Sequence, residues 1–81
     1  MKVAIGYFDE DSTVTSYVFG YELNGYYSDV TEIDVDTIDE AVEIAREKYD
    51  MTWGIIITEN LDAYRFGFNP SRARYEYEPF D

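Results

Sequence analysis

An α+β fold, mainly an antiparallel sheet of five or six strands with one helix packed on a face, is what the residue pattern predicts. The apolar set is dominated by 15 aromatic and 13 Ile plus Val residues against two leucines, Leu23 and Leu61. Such side chains suit a pleated surface better than a helical bundle. Most segments alternate apolar and polar residues with a period of two, and one alone repeats with helical spacing behind a helix-start signal. At 81 residues the chain has material for one core, so residues 1–81 are read as a single domain.

Val3, Ile5 and Tyr7 alternate with Lys2, Ala4 and Gly6, which predicts a first strand over residues 2 to 8. Asp9-Glu10-Asp11-Ser12 follows as a polar turn. From Thr13 to Leu23 the residues Tyr17, Phe19 and Tyr21 face one side and Val14, Ser16 and Val18 the other, a long second strand. Asn24-Gly25 is a strong hairpin signal, because a type I′ turn needs positive φ at both central positions. A third strand is expected over about 26 to 36. In it Ile33 and Val35 point one way while Glu32, Asp34 and Asp36 line the solvent side.

Thr37-Ile38-Asp39-Glu40 matches the capping box, in which the hydroxyl and the carboxylate satisfy reciprocal orphan amides. A helix to about Asp50 follows. Its Ile38, Ala41, Val42, Ala45 and Tyr49 form one apolar stripe, and Asp39, Glu40, Glu43 and Glu47 lie off that stripe. The uninterrupted Ile55-Ile56-Ile57 run within Trp53 to Glu59 is typical of a strand covered on both faces and belongs at the centre of the sheet. Asn60-Leu61-Asp62 turns the chain. Tyr64, Phe66 and Phe68 form a fifth strand, Asn69-Pro70-Ser71 a turn with the φ of Pro preset, and Arg72 to Glu78 a sixth strand. The order is βββαβββ, with a parallel crossover between the third and fourth strands left open.

The charge is one-sided. Eighteen acids against six bases, with no His, give a formal net charge of -12 and a pI near 4.1. The 43 residues between Lys2 and Arg46 hold 11 acids and no cation, whereas residues 44–81 hold seven acids and five bases. Self-repulsion at this density opposes compaction, and the aromatic and β-branched residues supply the burial that acidic disordered chains lack. The absence of Cys removes disulfides, thiolate zinc sites and thiol nucleophiles, and fits a reducing cytoplasm. No apolar run reaches signal-peptide length or the ~20 residues of a membrane span, so a soluble, cytoplasmic protein is expected.

Alternate strand residues lie about 6.7 Å apart and i, i+4 helix residues about 6 Å apart along the axis, both on the scale of successive backbone phosphates. Glu32, Asp34, Asp36, Asp39, Glu40, Glu43 and Glu47 are therefore candidate phosphate surrogates, provided that they form one array. The competing interpretation is a solvated face that only keeps the protein soluble. Like charges in rows cost stability without aiding folding, which argues for a selected field.

Other chemistry is weaker. Asp34-x-Asp36-x-x-Asp39 and Asp9-Glu10-Asp11 offer oxygens to a divalent cation, yet neither follows the EF-hand loop, and no metal or other cofactor is expected. No P-loop, dinucleotide fingerprint or nucleophile elbow is present, and a tuned carboxylate pair needs a cleft that so short a chain hardly builds, so the protein is read as no enzyme. Tyr64, Phe66, Tyr75 and Tyr77 could stack bases, but the net charge opposes a phosphate chain, so they are assigned to the core and direct nucleic-acid binding is not expected. Tyr21, Tyr26 and Tyr27 are candidate anchors of a protein interface.

Taken whole, the chain resembles the small acidic proteins with which bacteriophages imitate DNA during host takeover, among them inhibitors of the nucleoid-associated HU protein, of CRISPR nucleases, of restriction enzymes and of uracil-DNA glycosylase. The resemblance rests on the cation-free Val3 to Ala45 stretch, the Glu32-Ile33-Asp34-Val35-Asp36 row and the Asp39, Glu40, Glu43, Glu47 set. These groups share no single fold or signature motif, so no residue role carries over by motif. The resemblance implies a non-enzymatic inhibitor that occupies the DNA-binding surface of a basic host protein, with an HU-type target favoured and an anti-CRISPR or anti-restriction target as the alternative. A structural or regulatory subunit with a merely solvated acidic face is the alternative of another class.

Overall fold

The computed structural model of the chain describes residues 1–9, 11, 15–24 and 27–80. Strands β1 (Lys2–Phe8), β2 (Thr15–Val18), β3 (Tyr21–Asn24) and β4 (Tyr27–Asp34) precede helix α1 (Ile38–Tyr49), and strands β5 (Trp53–Thr58), β6 (Ala63–Asn69) and β7 (Arg74–Pro79) follow it. Five strands form a sheet in the order β4-β1-β5-β6-β7, and β2 and β3 form a second sheet of two. Every pairing is antiparallel.

The isoleucine run places β5 in the middle. Ile56 packs beneath the helix with Val3, Ile5, Ala41, Ala45 and Phe66, while Ile55 and Ile57 pack on the other face with Ala4 and Val18. Because β4 and β5 are both antiparallel to β1, they run parallel to each other with β1 between them. Helix α1 thus makes the crossover of a split βαβ unit.

The long strand expected over Thr13 to Leu23 is instead a hairpin, and the element order becomes ββββαβββ. Phe19 and Gly20 have φ of 52 and 81, the consecutive positive values that a two-residue turn requires, and Val18 pairs with Tyr21 across it. The reason lies beneath the hairpin. A single helix covers one face of the five-stranded sheet, and the apolar Ala4, Ile55 and Ile57 of the other face need a cover, which Val18 and Phe19 provide. Gly25 of the expected Asn24-Gly25 turn lies outside the described residues, as do Glu10 and Ser12 of the polar turn after β1. At Asp11, the backbone N–H donates to Asp9 Oδ1 at 3.0 Å.

Strand β4 carries one extra residue between the partners of Ile5 and Tyr7, with Asp29 at φ 52. Gly6 lies across from this bulge. A Cβ there would fall 2.9 Å from Ser28 O, so the close approach requires glycine.

At the helix start, Thr37 Oγ1 accepts from the Glu40 N–H at 3.1 Å, as the capping box predicts. The reciprocal half is shifted by one residue: Glu40 Oε2 accepts from the N–H of Asp36, at 3.1 Å, rather than from that of Thr37. Thr37 itself is extended (φ -142). Ala41, Val42 and Ala45 are buried, Ile38 is half-buried, and Tyr49 is exposed at the end of the stripe. Asp50, at φ 54, ends the helix, and the Met51 N–H closes back onto Ala45 O at 3.0 Å. No helix among the described residues is long and apolar enough to cross a membrane.

Candidate acidic interface

Strand register decides where the first carboxylates point. Glu32 pairs with Ala4 and Asp34 with Lys2, and Ala4 belongs to the core opposite the helix, so both carboxylates project on the hairpin side of the sheet. Each is exposed and each has a local partner. Glu32 Oε2 accepts from the Phe19 N–H at 3.4 Å. Asp34 Oδ1 lies 3.5 Å from the Met1 ammonium, with Lys2 as its cross-strand neighbour.

The helix holds the second group on the other side of the sheet. Asp39, Glu43 and Glu47 are exposed at successive i, i+4 positions, which sets them about 6 Å apart along the axis. Asp39 and Glu43 line an open groove of about 460 Å³ between α1 and the β6–β7 hairpin, with Arg46, Arg74, Phe68, Tyr75 and Tyr77 among the other lining residues. Glu47 pairs with Arg46 at 3.1 Å. Glu40 is half-buried and committed to the cap.

Asp36 lies just past the end of β4, between the two groups. Among the described residues no ion pair engages Asp36, Asp39 or Glu43. The seven residues therefore do not share one face. They divide into a strand row and a helix row on opposite sides of the sheet, with Asp36 at the junction. Both rows belong to the β4–α1 unit.

Three of the six cations lie on the β6–β7 hairpin, while Lys2 is on β1 and Arg46 and Lys48 are on α1. Arg65 pairs with Glu78 at 2.7 Å, and Glu76 takes Arg72 at 3.2 Å and Arg74 at 3.6 Å, all on the β6–β7 hairpin. This clustering is visible in the sequence as the balanced composition of residues 44–81. A pairing within the hairpin, rather than with the acidic half, leaves the β4–α1 field standing.

Of the aromatic set, Tyr64, Phe66, Tyr75 and Tyr77 do share the helix side of the sheet. Phe66 is buried, Tyr64 and Tyr75 are half-buried against the core, and Tyr77 is exposed. Tyr75 is fixed on two sides, by its hydroxyl donating to Met51 O at 3.3 Å and by the Arg46 guanidinium 5.6 Å over its ring. Tyr27 is half-buried on the second core and Tyr21 is exposed, whereas Tyr26 lies outside the described residues. Tyr17, which the alternation pattern groups with Phe19 and Tyr21, is the most exposed large hydrophobic side chain among the described residues, at 69%. Its neighbour Val18 is buried, so alternation along β2 turns Tyr17 away from the core.

Among the described residues no group of three His, Asp or Glu side chains is placed to hold a metal ion, so Asp34, Asp36 and Asp39 do not converge. Compared with protein-family models, curated proteins and solved structures, the chain finds no match.

Proposed function

We propose that this protein is a non-enzymatic inhibitor that occupies the DNA-binding surface of a basic host protein, its carboxylates standing in for backbone phosphates. The observation that carries the proposal is the segregation of charge in the fold. The segment that lacks any cation between Lys2 and Arg46 builds β1 to β4 and the first turns of α1, while Arg65, Arg72 and Arg74 form their ion pairs with Glu76 and Glu78 of the β6–β7 hairpin.

The two rows fit a clasp better than a flat contact. Glu32 and Asp34 face one side of the β4–α1 unit, and Asp39, Glu43 and Glu47 the other, so a concave cationic surface closing around this end would meet anions on both walls. Duplex DNA likewise offers two phosphate strands to the proteins that grip it. Captured anions of either kind release the counterions bound to them, and association is fast and salt-sensitive. An HU-type target, basic and indifferent to sequence, is the one favoured by the resemblance to phage DNA mimics.

The test is a pull-down from host lysate at low and high salt with duplex DNA as competitor. A basic DNA-binding protein should be retained at low salt and displaced by DNA. Reversing Asp36 and Glu43 to Lys should weaken capture far more than reversing Glu76 and Glu78. Recovery of no basic partner, or equal loss from both pairs, would overturn the proposal.

A further inference from the structure

Strand β7 ends the sheet, pairing with β6 alone among the described residues. The direction of its backbone groups follows from one bond. Phe80 N–H donates to Ala63 O at 2.9 Å, and because antiparallel pairs alternate, Glu78, Glu76 and Arg74 also turn their N–H and C=O toward β6. The Phe68 N–H bond to Thr52 O on the far side of β6 agrees with this phase. Tyr75 and Tyr77 therefore direct their N–H and C=O outward, along an open edge that natural sheets usually cover.

The charge around this edge differs from the rest of the molecule. From Ala63 to Phe80 there are three arginines and two glutamates, a net of +1 in a chain of -12. The net charge that opposes association of two copies is smallest here. The same strip also carries exposed apolar surface, with Phe68 at 47% and Tyr77 at 39%.

We infer that two copies of this chain join edge to edge through β7, antiparallel about a two-fold axis at Glu76, to form one continuous sheet. In that register Tyr75 of each copy stands opposite Tyr77 of the other, and these are the residues whose outward N–H and C=O groups can exchange main-chain hydrogen bonds. Arg74 of each stands opposite Glu78 of the other as a cross-strand ion pair on the face away from the helix. The Tyr75, Tyr77 and Phe68 rings of both copies close over the helix side. On the axis Glu76 meets its own counterpart, and each is already held by Asn69, Arg72 and Arg74. The self-complementarity of Arg74-Tyr75-Glu76-Tyr77-Glu78 under this rotation selects a second copy over any other occupant. Nothing in this inference depends on DNA mimicry.

The experiment is solution mass by light scattering over a concentration series reaching the millimolar range. The native chain should reach twice its 9.5 kDa mass. Tyr77→Pro deletes an outward N–H and is tolerated on an edge strand, so it should fold with an unchanged circular dichroism spectrum and stay monomeric. Arg74→Glu alone and Glu78→Arg alone should each stay monomeric, because each sets like charges opposite one another. Mixed in equal amounts, those two variants should form a dimer, since every cross-strand pair is then of opposite sign. A native chain that stays monomeric throughout, a dimer indifferent to these substitutions, or a mixture that stays monomeric would each overturn the inference.

Discussion

The Glu32 carboxylate accepts a hydrogen bond from the backbone N–H of Phe19 at 3.4 Å, so a residue on the exposed acidic row also holds the β2–β3 turn against the sheet. The two roles respond differently to substitution. Glu32→Gln keeps an acceptor and removes the charge, whereas Glu32→Ala removes both. A long, exposed bond of this kind is worth at most about 0.5–1 kcal/mol. Chemical denaturation should therefore show a loss of that size for Glu32→Ala and a smaller one for Glu32→Gln, while partner capture falls for both. Equal destabilisation by the two would show that the hydrogen bond does not matter.

Gly54 should be the least replaceable glycine in the sheet. A Cβ at this position would lie 2.6 Å from Gly6 O, 2.6 Å from Met51 Cε and 2.9 Å from Phe66 Cε1. The methionine end can move, but the carbonyl belongs to β1 and the ring is part of the core beneath the helix. Gly54→Ala should cost about 1–3 kcal/mol as overpacking. In a domain of this size each kcal/mol lowers the melting temperature by about 4–8 °C, which differential scanning calorimetry resolves easily. A melting temperature within a degree or two of the native value would mean that β1 and β5 separate freely.

Those contacts also show which features could be read from the residues. Three consecutive isoleucines need a strand covered on both faces, which β5 has at the centre of the sheet, and the helix is marked by both its stripe and its cap. The hairpin leaves no break in the alternation, because Tyr17, Phe19 and Tyr21 keep their period of two straight through the turn. A bulky aromatic at positive φ is locally unfavourable, and what supports it at Phe19 is partial burial against the cluster of Ala4, Val18, Ile55 and Ile57, a tertiary contact. The candidate acids, apart from the half-buried Glu40, are legible one by one as exposed positions. Their division into two rows is not, since it depends on which face of the sheet the helix takes and therefore on pairings between β1, β4 and β5.

The cap at Thr37 gives a separate test of the helix that carries Asp39, Glu43 and Glu47. Its hydroxyl satisfies the Glu40 N–H, and Asp39 and Glu40 lie in the first turn, where negative charge is favourable. Thr37→Ala should destabilise the protein by about 1 kcal/mol. Thr37→Asp should come close to restoring the native value, because aspartate caps as well as threonine does and its extra charge suits the helix start. Destabilisation by Thr37→Asp equal to that of Thr37→Ala would show that local repulsion among Asp36, Asp39 and Glu40 outweighs the cap.

Repulsion across the whole molecule predicts a salt response of definite form. The domain measures 35 × 28 × 24 Å. At 0.01 M ionic strength the screening length is about 30 Å, so both carboxylate rows act on each other through and around the protein; at 0.15 M it is about 8 Å, and only neighbours within a row still interact. The unfolded chain keeps its charges farther apart and gains less from screening. Raising NaCl between these concentrations at a fixed low protein concentration should therefore increase the melting temperature by several degrees. Asp39→Asn combined with Glu43→Gln removes two charges that no ion pair engages among the described residues, and should raise the melting temperature at 0.01 M while shrinking the salt response. A melting temperature that stays level over this range would mean that the rows do not repel one another enough to matter, and would remove the argument that the carboxylates are kept at a cost to stability.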